Sequence, residues 1–427
     1  MHKDQPPSAA KRPDKSPSLL KNSLIYVVAS LGNKAIPFLL LPVITRYLSP
    51  QAYGLYAIYQ VFVSFLTPFI GMSLEVHISR NYFRVNKDEL RRIISSIVLI
   101  LHLNLVSGLL ILLTASFVVE QPFGLSRDVL LVLPLIIYAQ VINAFELGLL
   151  RFEQRPLRFG LMQFAMSLLN LGVGLSLLLL FHFGWKSLVL GLLFGQLSIA
   201  CFSLWSMRRR HLLQKTLSPL WPLLRISLPL ILHLLGSSVI FLSDRLFLEK
   251  MLGLKTVGVY SVGVQFGNIA MLVFNSIMLA FGPWFFKKLA SGDRLLVRRS
   301  YQLMLGFLLM GLAIWIFSYI ALPFVVSSQY QAARGVILWV VLGFVLRGWY
   351  QIFYNVVLHE GQTRVFPYIT GGAGLLNLGL NYVLIMRNGM VGAAQATVLS
   401  FAMMFVLTWY FAQKFSPLDW KILRAAP

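Results

Sequence analysis

Charge is scarce in this 427-residue sequence, and negative charge is scarcest. Only 12% of residues are charged, and Asp and Glu supply 14 of them against 37 Lys and Arg. An ordinary soluble domain carries roughly 25% charged residues, so a fold that turns its outside to water is excluded. The single cysteine, Cys201, excludes an intrachain disulfide and a thiolate metal site. No HExxH and no paired His/carboxylate spacing supports a metal, and His77, His102 and His233 read as hydrogen-bonded interior residues. No Ser/His/Asp ordering stands out, and the GGAG at Gly371 to Gly374 is too short and too deep in an apolar run to cradle a phosphate. The connections are too short to hold a soluble catalytic domain, so the sequence predicts no enzyme and no cofactor.

What the sequence has instead is apolar length. Hydrophobic residues make up 58% of it, and about 20 apolar residues in a helix cross the hydrocarbon core of a bilayer. Twelve such runs are present, near 24–45, 53–76, 93–117, 129–150, 159–181, 187–206, 226–247, 257–281, 301–325, 335–357, 367–386 and 391–413. The predicted class is an all-α polytopic membrane protein, about twelve transmembrane helices in two six-helix lobes around a central cavity.

In a soluble chain the net charge of +23 would suggest nucleic acid, but here its distribution matters more than its sum. With both termini inside, 27 of the 37 basic residues fall in cytoplasmic segments, 7 outside, and Lys34, Arg245 and Arg347 within spans. That bias fixes orientation by the positive-inside rule, makes most basic residues topogenic, and predicts no nucleic-acid partner.

Residues 1–22, rich in Lys, Pro and Ser, read as a cytoplasmic tail rather than a cleaved signal. The predicted division continues with an N-terminal lobe at 23–207, a cytoplasmic linker at 208–225, a C-terminal lobe at 226–415 and a tail at 416–427. An internal repeat supports two halves: RYLSPQAYGLYAIYQVF from Arg46 aligns with KMLGLKTVGVYSVGVQF from Lys250 at a constant offset of 204, matching Leu48 with Leu252, Gly54 with Gly258, Tyr56 with Tyr260 and Phe62 with Phe266. An offset of six spans keeps the halves parallel in the membrane, as in transporters with a midplane site. Prolines at 37, 42, 68, 134, 229 and 323 fall inside spans, where each removes a backbone bond. Gly191/Gly195 and Gly263/Gly267 have the spacing of close helix contacts.

Polar groups inside spans are expensive in lipid and must face protein or water. They recur in steps of three and four, which puts each group on one helix face: Gln60, Ser64 and Thr67; Gln140, Asn143 and Glu146; Gln163, Ser167 and Asn170; Gln265, Asn268 and Asn275; Arg347, Gln351 and Asn355; Asn377 and Asn381. Six polar faces predict one hydrated cavity. Lys34 and Arg347, with Arg245 nearer a membrane face and Arg46 and Arg80 at span ends, are candidate ligands for a phosphate or pyrophosphate. Glu75, Glu146 and Asp244 are candidates to carry a coupling proton or sodium ion, or to gate. Neighbours on a helix diverge by about 100°, so Asp244 is expected to pair with a base on another helix rather than with Arg245.

The segments LPVITRYLSPQAYGLYAIYQVF and SLPLILHLLGSSVIFLSDRLFLEKMLGLKTVGVYSVGVQF resemble the polysaccharide (O-antigen) flippases, the Wzx-like group of the multidrug/oligosaccharidyl-lipid/polysaccharide (MOP) exporter superfamily. The resemblance implies a V-shaped pair of lobes in a bacterial inner membrane. It implies movement of an undecaprenyl-pyrophosphate-linked oligosaccharide to the outer leaflet by alternating access, with glycan polymerase and chain-length or export proteins as partners. A drug or cation exporter of the same superfamily, and a membrane-embedded glycan polymerase or acyltransferase, are the rival readings.

Overall fold

A computed structural model describes Gly32, Ile36, residues 38–118, 121–293 and 295–416, and Leu418, with only the backbone of Ile226, Pro229, Leu232, His233 and Ser237. Every regular element among the described residues is helical. The α-helices are α1 (Leu41–Tyr47), α2 (Pro50–Gly71), α3 (Glu75–Asn81), α4 (Lys87–Val118), α5 (Arg127–Phe152), α6 (Pro156–Leu179), α7 (Lys186–Arg209), α8 (Leu220–Leu252), α9 (Leu254–Ala290), α10 (Leu295–Val325), α11 (Arg334–His359) and α12 (Phe366–Phe415). Short 3₁₀ turns lie at Pro122–Gly124, Ser328–Ala333 and Thr363–Val365.

Among the described residues nine helices are long and apolar enough to cross a membrane. The 50-residue α12 breaks at Gly389, whose φ of 58° and ψ of −140° are not helical, so it supplies two crossings, matching the expected runs 367–386 and 391–413. Just beyond the turn, a Cβ on Gly392 would stand 2.0 Å from the Leu384 carbonyl oxygen, so the two arms meet backbone to backbone. The expected first span lies largely outside the described residues, and α1 is its end.

Local signals set the helix ends. Ser49 caps α2, accepting a bond from the Ala52 amide, with Pro50 in the first turn, and Met72 closes that helix in the left-handed region. Asn86 accepts from the Glu89 amide at 2.8 Å where α4 begins, and Asp88 and Glu89 fill its positive first turn. Pro68, Pro134 and Pro323 sit inside helices as expected, and Pro42 stands in the first turn of α1, directly after the helical residues Phe38 and Leu39.

Two sets of contacts tie the first half of the chain to the second. At the end that the charge pattern places outside, α1 and the start of α2 pack on α9 and on the Ser328–Ala333 turn. Ser327 donates to the Thr45 carbonyl at 2.7 Å and Tyr330 to the Leu48 carbonyl at 2.9 Å. Buried Leu41, Ile44, Leu48 and Tyr53 join the same apolar core as Val259, Val262 and Phe266. At the basic end α7 runs through Arg209 and α8 starts at Leu220, within the range of the expected 208–225 linker. The connection is stitched to α4 by the Gln214 amide on Ser95 Oγ (2.7 Å) and the Ser218 amide on Ser96 Oγ (2.9 Å). His77 Nε2 lies 2.9 Å from the Leu223 carbonyl oxygen and 3.1 Å from Ser227 Oγ, the interior role expected of it.

Candidate functional site

Directly beneath the outer seam lies a cavity of about 440 Å³ between the halves. The first half contributes Tyr53, Tyr56 and Gln60 of α2 and Ser167 and Asn170 of α6; the second contributes Gln265 of α9. Helical spacing sets the polar wall, since 53, 56 and 60 are one α2 face and 167 and 170 one α6 face. Gln60 Nε2 donates to the Tyr56 hydroxyl at 2.7 Å, and Asn268 Nδ2 to Gln265 Oε1 at 3.2 Å. Asn170 Oδ1 is buried without a hydrogen-bond partner among the described residues. It is pressed against α7, where a Cβ on Gly195 would stand 1.9 Å from it. Leu40, Ile44, Leu171, Leu175, Leu188 and Leu192 complete the wall.

Three expected site residues, Gln60, Asn170 and Gln265, thus line one inter-lobe space, with Asn268 one turn from Gln265. Lys34 falls outside the described residues. Arg46 and Arg80 are exposed in the last turns of α1 and α3. Arg245 donates to the Phe241 carbonyl at 3.0 Å and sits over the Tyr260 ring at 5.7 Å.

The single cavity shared by six polar faces is not what these side chains build. Asn143 spends its amide on Gln196, donating to its backbone oxygen at 2.9 Å, and on Ser203. Asn377 and Asn381, both fully buried, bond Ser243, Ser400 and each other. These are private contacts that glue helices together, because a buried amide is satisfied by whichever polar neighbour packs beside it. Arg347 and Gln351 line a separate cavity of about 210 Å³ inside the second half, with the guanidinium over the Phe241 ring at 5.1 Å. Glu146 lies in another space and is bound by Arg210. Glu75, exposed, lines a fourth cavity, of about 220 Å³, with Thr67 and Gln140.

Asp244 also departs from expectation. It accepts from Arg245 Nη1 at 3.1 Å and from the Tyr260 hydroxyl of α9, not from a base on another helix. The helix argument fixes where Cβ atoms point, but an arginine is long enough to fold back past one residue. Among the described residues no group of three His, Cys, Asp or Glu is placed to hold a metal.

Tyr53 and Tyr56 are the site residues that the polar stripes overlooked. Their signal is in the sequence all the same: three and seven residues separate Tyr53 from Tyr56 and Gln60, the spacing of one helical face.

The family described as polysaccharide biosynthesis protein matches residues 19–289, and the MatE family matches residues 229–383. A protein of the Lsg locus of Haemophilus influenzae is 23% identical over 357 residues, 81% of this chain and 86% of its own. Among solved structures, an inward-facing multidrug resistance MATE family transporter of the MOP superfamily superposes with a TM-score of 0.74, at 14% identity, over 90% of this chain and 95% of its own. The lipid II flippase MurJ in an inward closed conformation gives 0.67, at 13% identity, over 93% of this chain and 88% of its own.

Proposed function

Because the chain belongs to the polysaccharide biosynthesis protein family and shares the fold of MOP superfamily transporters, we propose that it is a flippase for an undecaprenyl-pyrophosphate-linked oligosaccharide. The cargo is an O-antigen, capsule or exopolysaccharide repeat unit, moved from the cytoplasmic to the outer leaflet of a bacterial inner membrane by alternating access. The observation that carries this reading is the 440 Å³ cavity where the halves meet, lined by Tyr53, Tyr56, Gln60 and Asn170 of the first half and by Gln265 of the second. Amide donors and acceptors, together with aromatic faces, suit sugar hydroxyls and sugar C–H faces. The side-chain amides of Gln60 and Gln265 supply groups of that kind. No carboxylate lines the cavity among the described residues, where a cation exporter would have use for one.

In this reading Tyr53, Tyr56, Gln60, Asn170, Gln265 and Asn268 hold the sugar, while Arg245 and Lys34 attract the pyrophosphate. Asp244, held by Arg245 and Tyr260 at the edge of the second half, is the coupling or gating carboxylate. The close outer seam supports a resting state shut on the outside, so the cargo enters from the side of the basic loops.

The test is leaflet exchange of a fluorescent lipid-linked oligosaccharide in liposomes holding the purified chain. Wild type accelerates exchange without a new covalent product, and Gln60→Ala with Gln265→Ala slows it at least tenfold. Elongation of the glycan, or exchange no faster than in empty liposomes, would refute the reading.

A further inference from the structure

A larger cavity, of about 810 Å³, lies among α5, α6 and α7. It is not an extension of the inter-lobe space. On α6 it takes Arg158, Leu161, Met162 and Ala165, whereas the inter-lobe cavity takes Ser167, Asn170, Leu171 and Gly174. At about 100° per residue the two sets face nearly opposite ways. The helices α6 and α7 touch backbone to backbone at Gly174 and Gly191. The cavity occupies their other ends, beside the basic connections.

Its floor is electrically closed. Arg210 binds Glu146 and, at 2.6 Å, Glu153, and Ser206 donates to Glu146 at 3.2 Å. Its rim is not: Arg158 and Arg209 have no carboxylate partner among the described residues. Arg209 is held over the Trp205 ring at 5.2 Å. The mouth is apolar, with Leu161, Phe202 and Trp205 each more than half exposed, and it runs into the exposed face of Leu157, Phe164 and Leu168 that a membrane span presents to lipid.

We propose that this cavity holds an anionic phospholipid of the leaflet on the basic side. Its phosphate sits between Arg158 and Arg209, and an acyl chain lies along Leu161, Ala165 and Phe202. Guanidinium groups match phosphate oxygens in charge and geometry, and basic residues at a helix end attract anionic head groups in the facing leaflet. The greasy wall distinguishes a lipid from a soluble anion, which would leave Leu161 and Phe202 uncovered. The proposal is independent of what the protein carries.

The test is native mass spectrometry of the detergent-purified full chain with phosphatidylglycerol or phosphatidylcholine of matched chains. Phosphatidylglycerol is retained and phosphatidylcholine is not. Arg158→Gln with Arg209→Gln lowers retention about tenfold, as loss of charge-assisted bonds should, and Arg158→Lys with Arg209→Lys recovers part of it. Arg298→Gln with Arg299→Gln, which removes equal charge from the same side, leaves retention unchanged and controls for diffuse attraction. Equal binding of both lipids, equal loss in the Arg298/Arg299 variant, or displacement by inorganic pyrophosphate at the concentration where short-chain phosphatidylglycerol displaces would overturn the proposal. Since retention is read without transport, its failure leaves the flippase reading standing, and the converse holds.

Discussion

Gly54 of α2 and Gly258 of α9, matched by the repeat at an offset of 204, meet at the outer seam: a Cβ on Gly54 would stand 3.2 Å from the Gly258 nitrogen, and one on Gly258 3.1 Å from the Gly54 nitrogen. The same hydrogen-sized side chain, used twice, lets two helices from different halves touch at the backbone.

Gly54→Ala should force that seam apart, since its Cβ would fall 2.1 Å from the Leu254 carbonyl oxygen, and Gly258→Ala should do the same against Pro50 at 1.9 Å. Overpacking of this kind costs about 1–3 kcal/mol. Thermal unfolding in detergent should show the loss for both variants, while Gly148→Ala, with open space around its position, should match wild type.

Tyr330→Phe removes the hydroxyl that donates to the Leu48 carbonyl at 2.9 Å. The change should cost about 1 kcal/mol and favour opening on the outside. Labelling of a cysteine placed at Tyr53 by a membrane-impermeant maleimide should therefore be faster in the Tyr330→Phe background than without it.

Glu146→Gln should destabilise the first half by about 3 kcal/mol, because it strips a partner from the half-buried Arg210 guanidinium. Glu146→Leu combined with Arg210→Met should recover much of the loss, as neutral, apolar replacements of buried ion pairs commonly do. Calorimetric unfolding of single and double variants decides the point: a double variant worse than either single one would show that the pair does more than satisfy its own charges.

Asn377→Ala and Gln60→Ala should separate amides that join helices from amides that line the cavity. The first leaves Ser243 and Ser400 short of partners in a fully buried network and should cost about 1–3 kcal/mol of stability. Gln60→Ala, at a cavity wall, should unfold within about 0.5 kcal/mol of wild type yet slow leaflet exchange. Equal melting of the two variants would contradict the assignment.

Gly195→Ala places a methyl carbon 1.9 Å from Asn170 Oδ1 and 2.7 Å from the Asn170 nitrogen. It should push Asn170 into the cavity and impair transport, whereas Asn170→Ser in the same background should relieve part of the defect in the liposome assay.

Spans and the matched Gly54 and Gly258 of the repeat were legible in the sequence because each rests on single residues read along a run. The close contacts at Gly191/Gly195 and Gly263/Gly267 were legible too: added Cβ atoms there would fall 2.5 Å from the Asn170 carbonyl oxygen, 1.9 Å from Asn170 Oδ1, 3.0 Å from the Ala333 carbonyl oxygen and 2.2 Å from Val340 Cγ1. What was not legible is which polar face meets which neighbour. Gln60 and Asn377 look alike in a helical stripe, yet one faces a cavity and the other faces Ser243 and Ser400. Periodicity names a direction on one helix, and only packing decides what stands in that direction. Arg210 was hidden for a related reason, as its place in the run Arg208 to Arg210 reads as topogenic charge while its side chain turns back to Glu146.

The abrupt reversal at Gly389 leaves the final hairpin only a short exposed handle, Met386 to Asn388, in front of arms that close at once. With the arms already touching at Gly392 and Leu384, a protease site or epitope tag spliced in there must first pry them apart. The turn at His182 to Gly184, exposed at His182 and with open space around Gly184, accepts such an insert with nothing to pry apart.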